Sequence, residues 1–215
     1  MASCSTSLVA SPNAVPGFVW SDAGTVLAKP VLWMLGLLLF LYVGCELGIW
    51  NWLVQHLIAQ GIPEARALNV LSLGFALGLV LGRVAVSPIL ISVKPETVTL
   101  AAAILMALTS YLALHARDAK SAWILAFLVG VAMAPVFPTT LAIVGGWADK
   151  AIPALKSTAM GFAVSFGWVG MAISSRLIGA IAGGDTRRLR KALLVIPAFS
   201  VVMIVLNLAI QEMLS

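Results

Sequence analysis

The chain has 215 residues, 61% of them hydrophobic and only 10% charged, where a soluble domain is about half apolar and a quarter charged. So little polar surface cannot cover so much apolar side chain in water, and a soluble globule of this length is excluded. The formal net charge of +5 forms no basic stripe with interleaved aromatics, so nucleic acid is not an expected partner, whereas a lipid bilayer is.

Residues 1–29 form a leader rich in Ser, Ala, Pro and Gly, with Asp22 and Lys29 its only charges. No basic segment precedes an apolar core, as a secretory signal would require, and the leader is expected to be a flexible tail or linker remnant. The membrane domain is expected over residues 30–215. Its first span opens at Lys29-Pro30, since Pro suits the first turn of a helix. It runs over about 30–60 and stops at Gly61-Ile62-Pro63. Thirty residues give a rod of about 45 Å, enough to cross with a tilt. Five more apolar stretches follow, over about 66–92, 96–115, 121–147, 156–182 and 189–212, separated by short polar gaps. Each is near or above the roughly 20 residues a bilayer requires. The fold class is therefore an all-α membrane protein with six transmembrane helices.

Orientation follows from the basic residues in the gaps. Lys29, Arg83 (read as a helix end), Lys94, Lys150 and Lys156 lie on one side. Arg66, Arg117, Lys120, Arg187, Arg188, Arg190 and Lys191 lie on the other, and seven against five favours a cytoplasmic second set.

Two ionisable residues fall inside spans, where charge is rare and usually faces a cavity or partner. Glu46 sits about midway along the first span. At 100° per residue it shares a face with Tyr42, Trp50 and Leu53, with Gly44 and Gly48 opposite. A carboxylate between aromatics can hydrogen-bond a polar solute while the rings cover its apolar face; the alternative is a structural interhelical hydrogen bond. Arg176 in the fifth span either pairs with Glu46 at similar depth or extends to the interface.

The fourth span carries Pro135 and Pro138, flanked by Phe137 and Thr139. Each proline lacks the N–H that would satisfy the carbonyl four residues earlier, so those of Val131 and Ala134 lose their helical partners. Such a break is tolerated where it packs in protein or lines a wet cavity, and discontinuous helices recur at transporter sites. Gly74, Gly78 and Gly82 form a small-residue ridge for close helix packing. Cys4 and Cys45 are too far apart in pattern for a disulfide framework. No metal spacing, P-loop, dinucleotide fingerprint or nucleophile elbow is present, so neither a metal, nor a cofactor, nor an enzyme activity with catalytic residues is expected.

The run Leu41-Tyr42-Val43-Gly44-Cys45-Glu46-Leu47-Gly48, followed by Trp52-Leu53, resembles the seventh helix of sugar transporters of the major facilitator superfamily, in the fucose/glucose–proton symporter-like branch. The stretch ending Gly82-Arg83 is similar to the eighth helix and its following turn. Ala134 to Thr139 resembles the proline-containing tenth helix, and Gly161 to Gly170 the eleventh. The resemblance covers about residues 30–212 in family order, without the acidic and Arg-rich signature of the turn after the second span.

It implies the C-terminal six-helix half of a twelve-helix transporter, built from two inverted three-helix repeats. Both termini of this half would then be cytoplasmic, opposite to the charge count. It further implies transport of a small polar solute of the sugar class by alternating access in the inner or plasma membrane. Glu46, Tyr42 and Trp50 would meet solute or proton, and Pro135, Phe137, Pro138 and Thr139 would shape the cavity. Coupling to protons stays open, because the family's coupling acids lie largely in the other half. A half-size chain would transport as a homodimer or with a separate N-terminal half. The alternative is a non-transporting assembly subunit or truncated remnant.

Overall fold

A computed structural model describes residues 20–185 and 188–214. They form α1 (Trp20–Leu27), α2 (Pro30–Ala59), α3 (Glu64–Ser92), α4 (Pro95–Ala113), α5 (Ala119–Met133), α6 (Val136–Ala151), α7 (Lys156–Ala182), α8 (Leu189–Leu193) and α9 (Val195–Leu214). Six rods are long and apolar enough to cross a membrane: α2, α3, α4, the α5–α6 pair, α7 with its preceding turn, and α8–α9. The six expected spans are therefore present, each within a few residues of its sequence bounds.

Two details of the sequence reading change. The end of the leader, expected to be flexible, is helical as α1, whose Val26 is buried; residues 1–19, Cys4 among them, lie outside the described residues. Arg83 is not at a helix end. α3 continues through Pro88 to Ser92, because a membrane helix tolerates an internal proline when the freed carbonyl is otherwise accommodated. This removes Arg83 from the charge count at its end of the bundle. Arg187, counted at the opposite end, lies outside the described residues.

The helices interlock through glycines. α2 packs most extensively on α7, and α5 packs on α3 and α4. A Cβ added at Gly170 of α7 would overlap the Phe40 carbonyl oxygen of α2, and one at Gly44 would stand 3.0 Å from Ser174 Cβ. The Gly74, Gly78 and Gly82 ridge does pack closely, against α5. A Cβ at Gly78 would overlap the Phe127 carbonyl, and one at Gly130 would overlap that of Phe75. Burial of the α2 and α5–α6 windows reaches 61%, against 22–39% for the other four, so these two rods form the centre of the bundle.

Even crossing numbers bring the ends together. Lys94, Glu96, Lys150 and Gln211 converge at one end, where Gln211 Nε2 donates to the Glu96 carbonyl at 3.3 Å. Gln60, His115, Arg117 and Arg190 converge at the other. There, Gly61 with φ +87° turns the chain from α2 into α3 in the left-handed region that glycine favours.

Asp118 starts α5. Its Oδ1 accepts from the backbone N–H groups of Lys120 and Ser121, each at 3.0 Å, and Ser121 Oγ donates to Oδ2 at 2.8 Å. These bonds, that from the Ser121 backbone foremost, hold the carboxyl below its ordinary value of about 3.8. Since the unfolded state binds the proton more readily, the cap's contribution is fully present above about pH 3.8 and is lost as pH falls through the lowered native value. Asp118→Asn, which keeps an acceptor that cannot titrate, is expected to lose less thermal stability than wild type between about pH 5 and about pH 3. Unfolding midpoints across that interval check this.

Candidate functional site

Mid-bundle, α2, α3, α6 and α7 enclose an open cavity of about 430 Å³, a volume in the range of small-molecule sites. Val43, Glu46 and Leu47 of α2 form one wall, and Phe137 and Pro138 of α6 another. Val164, Gly167, Trp168 and Met171 of α7 complete a largely apolar lining, in which Glu46 and Arg83 are the charged groups.

Arg83 reaches Glu46 from α3, with one guanidinium nitrogen 4.0 Å from Oε1. That is a Coulombic contact, longer than the 2.7–2.9 Å of a charge-assisted hydrogen bond. The Glu46 side chain is 17% exposed and that of Arg83 54%, so both present unused hydrogen-bonding capacity to the cavity. The Tyr42 hydroxyl lies beside this pair. The residue is fully buried, its ring 6.4 Å from that of Phe137, and the hydroxyl completes no hydrogen bond among the described residues.

The structure thus gathers Glu46, Tyr42, Phe137 and Pro138 and leaves four expected residues, Trp50, Thr139, Arg176 and Pro135, outside the cavity lining. Trp50 is 38% exposed and packs edge-on against Phe75 of α3, at 5.4 Å between ring centroids, one turn beyond the cavity wall. Thr139 points away from the cavity into the bundle. Its Oγ1 donates to the Pro135 carbonyl at 2.8 Å and stands 2.6 Å from Thr99 Oγ1 of α4. Arg176 is exposed on α7, five residues past Met171 and so about 140° round the helix from the lining face. Glu46 pairs with Arg83 instead.

The proline break divides in its effect. Thr139 N–H donates to the Pro135 carbonyl, and Ala134 N–H to that of Gly130, each at 3.0 Å, so the backbone is kinked and remains nearly helical. The Val131 and Ala134 side of the kink is packed in protein: a Cβ on Gly82 would meet Ala134 Cβ at 2.6 Å and the Val131 carbonyl at 3.1 Å. Pro135 itself is buried at the break, and of these residues only Phe137 and Pro138 reach the cavity.

Among the lining residues that the sequence did not place in the site, Arg83 supplies a charge and Trp168 the largest aromatic surface. For Arg83 the signal was available, since Val84 to Ile91 continues the apolar stretch on its far side. For Trp168 it was not: an aromatic on a membrane helix faces lipid, protein or cavity according to packing alone. No protein-family model, curated protein or solved structure matches the chain.

Proposed function

We propose that this chain is a six-helix half of a major-facilitator-type transporter in a cell membrane, and that with a second half it moves a small polar solute of the sugar class by alternating access. The observation that carries this reading is the Glu46–Arg83 pair held in a mid-bundle cavity of small-molecule size. Ionisable residues are maintained inside a membrane chiefly where they serve a pathway or a partner. Glu46 offers acceptors to solute hydroxyls and Arg83 offers donors to solute oxygens. Phe137 and Trp168 supply apolar surface for the carbon face of the solute. The order of motifs along residues 30–212 supports the family assignment.

Uptake of labelled monosaccharides into liposomes containing the purified chain, with and without a proton gradient, tests the proposal. Saturable uptake that unlabelled sugar competes away is expected, either with the chain alone or with a co-expressed N-terminal half. Its absence in both preparations favours the reading as a non-transporting subunit.

A further inference from the structure

Arg83 lies nine residues before the end of α3, and its guanidinium lines the open cavity at the depth of Glu46. Glu46 stands 13 residues before the end of α2, about 20 Å along the helix axis. With a hydrocarbon thickness of about 30 Å, the pair sits deep in the membrane. Its cationic member is 54% exposed, and its 4.0 Å separation leaves the guanidinium donors without short partners in Glu46. Acyl chains cannot satisfy those donors, so this face does not abut lipid. The rim around the pair is apolar, with Leu47, Val164 and a 61% exposed Trp168, and is equally unsuited to bulk water. The cover must match an apolar rim and a polar centre together.

We infer that the cover is a second copy of this chain, arranged about a two-fold axis parallel to the membrane normal, so that Arg83 of each copy faces Glu46 of the other. A patch carrying one cation and one carboxylate is self-complementary under such an axis, as an isologous interface requires. Four alternating charges then surround a shared cavity that neither copy closes alone. α7 contributes the approach surface, because Gly161 lies on the same face as Val164 and Trp168 and a Cβ there would meet nothing within 4 Å. This rests on the cavity face being an interface, as in the proposed function, and does not depend on transport.

The test uses the full-length chain with two different affinity tags, co-expressed in membranes and then solubilised, with uptake measured separately. Wild-type copies are expected to co-purify. Glu46→Arg gives a chain with two cations and Arg83→Glu a chain with two carboxylates. Each is expected to lose self-association by at least about tenfold and to regain it when the two are expressed together. Gly161→Trp, at a position where a Cβ meets nothing within 4 Å, is expected to lower co-purification while leaving the helix content of the solubilised chain unchanged. Failure of tagged wild-type copies to co-purify overturns the inference, as does absence of rescue between the two charge variants. Either result leaves the transport proposal standing, with a different protein as the second half. Association without any sugar uptake supports the dimer and counts against transport.

Discussion

Alanine at Gly78 or Gly130 is expected to destabilise the protein by more than about 3 kcal/mol, beyond the usual range for overpacking. The two glycines face each other across the crossing of α3 and α5. A methyl at Gly78 falls on the Phe127 carbonyl oxygen; one at Gly130 falls on the Phe75 carbonyl and stands 2.8 Å from the Leu79 nitrogen. Backbone cannot rotate aside as a flexible side chain can, so the helices must separate along their length. In a membrane, where lipid tails are as apolar as the core, close van der Waals contact is a principal source of helix association, and separation forfeits it. Gly146→Ala is the control, since its methyl would meet nothing within 4 Å. That substitution is expected to be neutral or to stabilise by up to about 1 kcal/mol through helix propensity. Unfolding of the solubilised variants, followed by the loss of a monodisperse species on heating, distinguishes these outcomes. Equal midpoints for Gly78→Ala and Gly146→Ala would contradict the packing described.

The second large effect concerns the charged pair. On the proposal of sugar transport, Glu46→Gln is expected to reduce uptake at least about tenfold, and Arg83→Gln comparably, since each removes a group that faces the cavity. The stability pattern is more diagnostic. Arg83→Gln leaves the Glu46 carboxylate without its counter-charge at mid-membrane, where an isolated charge costs about 2.5–3.5 kcal/mol. The double substitution removes both charges and is expected to be less destabilised than the sum of the singles. Arg176→Gln is expected to add independently to Glu46→Gln, because Arg176 lies on another face of α7 and Glu46 faces Arg83. Coupling of Glu46 to Arg176, with none to Arg83, would refute this geometry. Solute counterflow separates two roles for Glu46. If it only carries a proton, exchange persists in Glu46→Gln while gradient-driven uptake fails; if it binds solute, both are lost.

What could be read in the chain was set by solvent chemistry. A bilayer accepts only long uncharged runs with every backbone group satisfied, so composition and gap positions alone located six spans to within a few residues. The same energetics singled out Glu46, because a carboxylate amid Leu41 to Leu53 is conspicuous whatever surrounds it. The glycine spacing at 74, 78 and 82 likewise announced a close contact, though not that its partner would be α5.

Three-dimensional packing decided the rest. Helical periodicity assigned Tyr42, Glu46 and Trp50 to one stripe. A neighbour covers only part of a stripe, and Phe75 of α3 takes Trp50 while the cavity keeps Glu46. A π-helical stretch at Val70–Ala76 also turns α3 out of the 3.6-residue register on which such face assignments depend. Thr139 went to Thr99 because a hydroxyl in a kinked helix bonds wherever a neighbouring helix presents a partner. The identity of the partner of Glu46 depended on an interhelical rotation that no local pattern encodes. Sequence determined that a charge had to be answered within the membrane; only the tertiary arrangement chose Arg83 to answer it.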